Sequence, residues 1–300
     1  MELITSVNNQ RVKEVANLKQ KKYRTESGTF FAEGLRAVEE AVQYADVTEL
    51  FYTEAEAGRL DEILKNAENN PAAAKETSVK HKNNTKNGNA GTAKKRNEVA
   101  NEICRYQVDE KVMAKLSDTK APQGVLAVIR TPEQNLRQLR PGTASDNNAP
   151  VIILDRVQDP GNLGTIIRTA DAVGALGLIL LEGCVDAYSP KVVRASMGSL
   201  FHLPVVQDVT AEEALTWCYR NGYEPAATAL KNAQNVYKAD ISKKMAFLFG
   251  NEANGVAEEL QAAAETRLFI PMTGLAESMN VAMAAGIILF EGLRQRKFYR

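Results

Sequence analysis

The second half of the chain alternates short apolar segments with helical patterns, and this alternation constrains the fold more than any other feature. Segments that read as strands are "VIILD" (151–155), "GLILLE" (177–182), "LPVVQ" (203–207), "EPAATAL" (224–230), "AFLFG" (246–250) and "RLFIP" (267–271). Helical patterns occupy 162–175, 189–197, 211–221 and 256–263, and a long helix begins near 280. Apolar strands separated by helices indicate a parallel sheet that is covered on both faces. The sequence therefore predicts an α/β domain over residues 150–300.

The first part of the chain predicts a smaller α/β domain over residues 1–130. Residues 8–24 predict one amphipathic helix with a basic exterior, because Val12 and Val15 share a face with Lys and Arg residues around them. Strands at 29–34, 47–53, 103–108 and 124–130 then alternate with helices at 35–45, 56–67 and 109–117. Residues 68–100 have almost no large apolar side chains and predict a disordered insertion. Residues 131–149 contain Pro, Asn and Gly and predict an interdomain linker.

Composition narrows the class of protein. A content of 44% hydrophobic and 25% charged residues predicts a soluble globular chain. We expect a cytoplasmic protein without a membrane span, because "MELITSVNNQRVKEV" lacks a signal-peptide core and no run of about 18 apolar residues occurs. The 37 basic and 37 acidic residues cancel, so a polyanionic partner would have to bind to local patches.

The cysteines and histidines argue against metal and triad chemistry. Cys104, Cys184 and Cys218 have no CxxC spacing, which favours neither a disulfide framework nor a thiolate metal site. His81 and His202 are the only histidines, so a metal site or a Ser-His-Asp triad is not expected. A structural role is expected for His202.

Three loops that follow predicted strands are candidates for a ligand site, because ligands of parallel sheets bind beyond the carboxyl ends of the strands. These loops are "DRVQDPGNLG" (155–164), "FGNEANGV" (249–256) and "IPMTGLAESMN" (270–280). They combine glycines with the polar residues Asn162, Glu252, Ser278 and Asn280. Asn162 and Ser278, taken singly, could equally be helix caps. No loop carries GxGxxG or GxxxxGK[ST], so neither a dinucleotide fold nor a P-loop is indicated.

The helix after the first loop carries an arginine outside its apolar stripe. Leu163, Ile166 and Ala170 share the stripe, whereas Arg168 lies near the opposite side. Solvation, with an i,i+3 pair to Asp171 worth about 0.2–0.5 kcal/mol, would account for its position. The alternative is that the Arg168 side chain reaches a ligand.

The motifs around these loops carry a family resemblance. In chain order, "NLGTIIRTADAVGA", "LFGNEANGV" and "IPMTGLAESMNVAMAAGIILFE" resemble the three motifs of the SpoU/TrmH family of RNA ribose 2'-O-methyltransferases, in the knotted SPOUT superfamily. In the first domain, "FFAEGLRAVEEAV" and "KLSDTKAPQGVLAVI" are similar to the substrate-binding domain that many members carry. Met279 stands where leucine is usual, and the insertion at 68–100 is a departure that leaves the RNA target open.

The resemblance implies a fold and a cofactor. The fold is a C-terminal parallel-sheet methyltransferase domain tied in a trefoil knot, an exception to the rule that chains avoid knots, with a smaller N-terminal α/β substrate-binding domain. The cofactor is S-adenosylmethionine, without a metal. Backbone groups at five matching positions are expected to hold it, and these are Thr228, Leu230, Gly250, Ile270 and Met279.

The resemblance also implies the catalytic residues. Arg168 matches the arginine that the family places beside the ribose 2'-hydroxyl, where it acts either as a base or electrostatically. The residues that match the supporting polar groups are Asn162, Glu252, Ser278 and Asn280. Ribosomal RNA is the favoured substrate and tRNA is the alternative.

Two other classes of function compete with this one. A non-catalytic RNA-binding ribosome assembly factor would share the fold, and a nicotinamide oxidoreductase would share the α/β pattern but needs a glycine fingerprint that is missing.

Finally, a homodimer whose site needs both subunits is implied by the family resemblance. The last helix supports it, because Met283, Ile287 and Phe290 extend apolar character beyond the stripe that contains Val281 and Ile288.

Overall fold

In a computed structural model of the chain, the described residues are 2–69, 103–142, 146–251 and 253–298. They separate into two compact units. The first unit takes the described residues up to Pro132 together with Tyr188–Pro190, and the second unit takes the others. The predicted insertion at 68–100 lies outside the described residues, apart from residues 68 and 69, which are helical.

The first unit is built around a five-stranded mixed sheet. Its strands are β1 (Glu2–Ile4), β2 (Thr29–Glu33), β3 (Val47–Tyr52), β4 (Cys104–Val108) and β5 (Val125–Arg130), in the order β1-β4-β3-β5-β2. Strands β1, β4 and β3 are parallel, whereas β5 is antiparallel to β3 and β2. The helices are α1 (Gln10–Asn17), α2 (Lys21–Ser27), α3 (Leu35–Tyr44), α4 (Ala57–Asn69) and α5 (Glu110–Leu116). A core that includes Val12, Phe31, Phe51, Leu116 and Leu126 fills this unit.

The single helix predicted over 8–24 was wrong, because the structure has two helices separated at residues 18–20. In a continuous helix the carbonyl of Leu18 would accept from the amide four residues later. Here it accepts instead from Nη1 of the buried Arg24, at 2.6 Å. The side chain of Lys19 turns away and donates to the carbonyls of Lys115 and Ser117. The bonds of Arg24 and Lys19 stabilise the break, and the local sequence pattern does not reveal the distant partners of Lys19.

The second unit contains a parallel sheet, as predicted, with seven strands where the sequence indicated six. Its strands are β6 (Val151–Leu154), β7 (Gly177–Leu181), β8 (Val205–Val209), β9 (Glu224–Thr228), β10 (Gln234–Asn235), β11 (Met245–Phe249) and β12 (Thr266–Phe269), in the order β10-β12-β9-β11-β6-β7-β8. Its helices are α6 (Pro160–Ala172), α7 (Pro190–Ala195), α8 (Ala211–Arg220), α9 (Glu258–Ala263) and α10 (Val281–Lys297). Every residue of β6, β7 and β11 is buried, which explains their uninterrupted apolar sequences.

Part of the segment predicted as a linker, 131–149, packs into the second unit. Residues Leu136–Gln138 form a short 3-10 helix, and Leu139 and Ala149 are buried in the core of this unit. Residues of the predicted linker therefore pack against the sheet of the second unit. The trefoil knot that the resemblance implies stays a prediction.

Candidate active site

A cavity of about 550 Å³ opens at the carboxyl ends of β9, β11 and β12. These three strands are neighbours in the sheet, so the loops that leave them meet at one edge. The loops contribute Thr228–Lys231, Phe249–Asn251 with 253–256, and Leu268–Ile270 to the lining, and the first turns of α10 close one side. The cavity therefore lies where parallel sheets place their ligands.

The residues predicted to hold a cofactor all line this cavity. They are Thr228, Leu230, Gly250, Ile270 and Met279, which come from three separate loops. Apolar side chains, among them Phe249, Val256 and Ile288, line the cavity together with them. The arrangement suits a ligand with an apolar ring system whose polar edges meet backbone groups.

The loop after β11 is folded back on itself. Asn251 and Gly255 exchange two backbone hydrogen bonds, from Asn251 N to Gly255 O at 3.1 Å and from Gly255 N to Asn251 O at 2.8 Å. Gly250 lies against this turn so closely that a Cβ there would be 1.9 Å from the carbonyl carbon of Gly255. Only glycine fits at position 250. Glu252, predicted to support catalysis, lies outside the described residues.

Two side chains that the sequence analysis did not single out brace this loop. Asn251 accepts the backbone amide of Ala253 at 2.9 Å on its Oδ1 and donates its Nδ2 to the carbonyl of Arg156 at 3.0 Å. Asp155, only 4% exposed, accepts from the Nε and Nη2 of Arg156 and from the amide of Ala257 at 2.8 Å. The loop is thereby fastened to the end of β6. The sequence could have indicated Asp155, because it is a charged residue that directly follows the apolar strand β6.

Asn280 joins the third motif to the first. Its Oδ1 accepts the amides of Ala282 and Met283, which caps α10, and its Nδ2 donates to Oδ1 of Asn162 at 2.9 Å. Asn162 lies in the first turn of α6, which Asp159 caps by accepting the Asn162 amide at 2.8 Å. The beginnings of α6 and α10 are therefore held together, and the sequence prediction that Asn162 and Asn280 belong to one site agrees with this geometry.

The two remaining predicted catalytic residues, Ser278 and Arg168, are both exposed but lie on different elements. Ser278 is exposed and lines the cavity, on a loop over residues 271–280 that is exposed throughout. Arg168 is exposed on α6, six residues beyond Asn162, a rise of about 9 Å along the helix. Within the described part of the chain its guanidinium forms no hydrogen bond or ion pair. The pairing partner considered for it, Asp171, is bonded to His202.

The described residues form neither a metal-binding cluster nor a membrane-spanning helix. In the ranges given above, no group of three or more His, Cys, Asp or Glu side chains is arranged to hold a metal ion. No helix in those same ranges has both the length and the apolar character that crossing a membrane requires.

Comparison with protein families identifies the class of protein. Residues 149–290 match the SpoU rRNA methylase family, and residues 9–127 match the MRM3-like substrate binding domain. The chain belongs to the SpoU rRNA methylase family. It is an α/β RNA methyltransferase with an N-terminal substrate-binding domain.

Individual relatives and solved structures agree. The chain is 33% identical over 290 residues to the 23S rRNA (guanosine(2553)-2'-O)-methyltransferase RlmP of Bacillus subtilis (strain 168), covering 97% of this chain and 98% of the relative. It is 35% identical over 188 residues to a 23S rRNA (uridine(2479)-2'-O)-methyltransferase of Streptomyces viridochromogenes, covering 59% of this chain and 62% of that protein. It also resembles the crystal structure of an AdoMet-bound rRNA methyltransferase from Sinorhizobium meliloti, with a TM-score of 0.78 and 32% identity over 99% of this chain and 98% of that one.

Proposed function

We propose that this protein transfers the methyl group of S-adenosylmethionine to a ribose 2'-hydroxyl of ribosomal RNA. The observation that carries the proposal is the meeting of three loops around one cavity, with the Asn162–Asn280 bond beside it. Two of these loops, which follow β11 and β12, hold the second and third motifs of the family to which the chain belongs, and Asn162 comes from the first motif. The named relatives act on 23S rRNA, which favours ribosomal RNA over tRNA.

The cavity fits S-adenosylmethionine. Its volume of about 550 Å³ lies within the range of small-molecule sites, and its lining is mainly apolar with backbone groups from three loops. Gly250 lets its backbone pack against Gly255 and Val256, which line the cavity with it. Thr228, Leu230, Ile270 and Met279 would hold the adenosine part. When bound, this cofactor supplies a methyl group on a cationic sulfur.

The chemical task of the chain is to position and activate the ribose oxygen. The 2'-hydroxyl would give its proton to solvent water as its oxygen forms the new bond to the methyl carbon and the carbon–sulfur bond breaks, so negative charge develops on that oxygen. Guanidinium groups stay protonated in proteins, so they are poor bases and good electrostatic partners. We assign Arg168 to binding the neighbouring phosphate and stabilising this charge. Its freedom from ion pairs with the described residues supports that assignment.

Asn162 and Asn280 are positioning residues in this proposal. Their mutual bond fixes the start of α6 relative to the cavity-lining start of α10. Because Arg168 and Asn162 share α6, the bond fixes the orientation of the helix that carries Arg168. Ser278 is exposed and lines the cavity, and we assign its hydroxyl to a contact with the RNA. Glu252, whose placement is not described, keeps its predicted supporting role.

A transfer assay with mapped products tests the proposal. Purified protein is incubated with methyl-labelled S-adenosylmethionine and, separately, with rRNA or tRNA from cells that lack the protein. The expected result is a methyl group on a ribose of rRNA, located by nuclease digestion and mass spectrometry. Methylation of a base, or of tRNA alone, would contradict the proposal. RNA binding without transfer to either RNA would favour the assembly factor.

The nucleotide is not determined by membership of the family. One relative is named for a guanosine and another for a uridine, both in 23S rRNA. We therefore propose the large-subunit RNA as the substrate class, and the product map of the same assay gives the position. The cytoplasmic location expected from the sequence stays a prediction.

We also propose that the protein works as a homodimer whose active site needs both subunits. Met283 and Phe290 of α10 are 60% and 51% exposed, and Ile287 lies on the same side of the helix. Leu275 in the third motif is fully exposed. A second copy that covers this helix face and this loop would remove their apolar surface from water.

A further inference from the structure

Asp171 lies one helical turn beyond Arg168 on α6. Side chains three residues apart on a helix are neighbours, and a carboxylate and a guanidinium in that relationship attract each other. In the structure, however, the Asp171 carboxylate accepts a hydrogen bond from His202 at 2.8 Å, and Arg168 has no partner among the described residues. The negative charge nearest to Arg168 along the helix is thus directed elsewhere.

Asp171 is held by a segment that lies alongside α6. Gly164 is packed against this segment, because a Cβ at Gly164 would be 2.4 Å from the Cβ of Ala195. Two turns later, Asp171 bonds to His202, which follows the 3-10 helix Ser199–Phe201. The segment from Ala195 to His202 therefore follows α6 past the position of Arg168.

The carboxylate is well satisfied where it lies. Burial raises the pKa of Asp171, but hydrogen bonds from His202 and Ser199 outweigh that effect, and the pKa is lower than its ordinary value. Asp171 is consequently ionised at neutral pH. A carboxylate only accepts hydrogen bonds, so Nδ1 of His202 carries the proton in this pair.

We propose that His202 is a positioning residue that keeps the Asp171 carboxylate away from Arg168, so that the guanidinium is free to bind RNA. The inference rests on the proposed role of Arg168 in methyl transfer. Without the donor at position 202, only Ser199 still holds the carboxylate, which then turns for part of the time to the guanidinium one turn earlier on the helix. Arg168 then spends part of its time in an internal ion pair that competes with the RNA phosphate.

Four variants measure this competition. His202→Ala removes the donor, and His202→Asn keeps a donor at the position of Nδ1. Asp171→Asn removes the charge, and the double variant His202→Ala with Asp171→Asn removes both. The readouts are the methyl-transfer rate at saturating S-adenosylmethionine and rRNA, and the affinity for S-adenosylmethionine by calorimetry.

The expected pattern is specific to the proposal. His202→Ala lowers the transfer rate by about 1.4- to 2.3-fold, which is the equilibrium effect of one helical ion pair. Both His202→Asn and the double variant return to the wild-type rate, and cofactor affinity is unchanged throughout. If His202 merely braced α6, adding Asp171→Asn to His202→Ala would not restore the rate. That result would overturn the proposal. An unchanged rate in His202→Ala would overturn it too.

A crystal structure of His202→Ala separates this inference from the proposed function. We expect an Arg168–Asp171 ion pair in that variant, and an Asp171 carboxylate that stays apart from Arg168 would contradict us. If the wild-type protein methylated no RNA, the proposed function would fail, and this structure would still decide where the carboxylate goes.

Discussion

Asn280 donates a hydrogen bond from its Nδ2 to Oδ1 of Asn162 across 2.9 Å, although 118 residues separate them. The same Asn280 side chain caps α10 through its Oδ1. One amide thus performs two tasks, one for the stability of a helix and one for the relative position of two motifs. Substitutions can separate the two tasks.

Asn280→Asp should lower the methyl-transfer rate while leaving the fold stable. A carboxylate still accepts the amides of Ala282 and Met283, and its charge suits a helix N-terminus, but it cannot donate to Asn162. Displacement of α6 from the cavity should reduce the rate by about 10- to 100-fold. Asn280→Ala should in addition lower the free energy of unfolding by about 1 kcal/mol.

Asn9→Asp is the matched control for this substitution. Asn9 caps α1 in the same way, accepting the amides of Arg11 and Val12. We expect thermal melting and the transfer rate of this variant to match the wild type. An Asn280→Asp protein with full activity would show that the bond to Asn162 has no part in positioning α6.

Gly250→Ala should abolish cofactor binding. The new Cβ would lie 1.9 Å from the carbonyl carbon of Gly255 and 2.0 Å from the amide nitrogen of Val256, so the backbone of the loop has to move. That movement displaces cavity-lining residues, and affinity for S-adenosylmethionine should fall by more than about tenfold. Calorimetry measures it. Gly58→Ala is the control, because open space surrounds Gly58 and cofactor binding should not change. Wild-type affinity in Gly250→Ala would disprove the close packing of Gly250 against Gly255.

The sequence was sufficient for six of the seven strands of the second sheet and for the cavity loops that follow β11 and β12, whereas the predicted loop 155–164 does not line the cavity. Strands β6, β7 and β11 are buried on both faces, and such strands are visible as continuous apolar runs. The two-residue strand β10 and the three-residue strand β1 were not predicted, because they are too short to show a period.

The side-chain partnerships of the site could not be predicted. Asn251 was not singled out because its acceptor, the carbonyl of Arg156, comes from a distant part of the chain. Likewise the spacing of Arg168 and Asp171 favoured a pair on one helix, whereas His202 provides the partner from another segment. Spacing along the sequence indicates possible side-chain partners, and the three-dimensional structure shows which of them are bonded.

Arg168→Ala should abolish methyl transfer with little change in the affinity for S-adenosylmethionine. Arg168 does not line the cavity, and its guanidinium has no partner among the described residues whose loss would disturb the fold. Arg168→Lys keeps the charge but loses the planar fork, so it should retain part of the rate. Calorimetry and the transfer assay check both variants, and lost cofactor binding in Arg168→Ala would reassign this residue to the cofactor pocket.

One of the three cysteines should react quickly with a thiol reagent in the native protein. Burial raises the pKa of the Cys184 thiol to about 11 and that of the Cys218 thiol to about 12, so neither forms much thiolate at pH 8. Cys104 is exposed. Titration with a chromogenic disulfide should show one fast thiol before denaturation and three after it. Cys104→Ser should remove the fast phase, and its persistence would show that a buried thiol is accessible.

Mixing two inactive variants tests whether the active site is shared between subunits. Arg168→Ala keeps the cofactor cavity and Gly250→Ala keeps the arginine, so a heterodimer with a shared site contains one intact pairing of the two. In an equal mixture half of the dimers are mixed, and activity should recover to about a quarter of the wild-type level. Sedimentation at micromolar concentration establishes the dimer independently. A fully active monomer would contradict the dimer requirement, whereas a stable dimer whose mixed form stays inactive would show that each subunit carries a complete site.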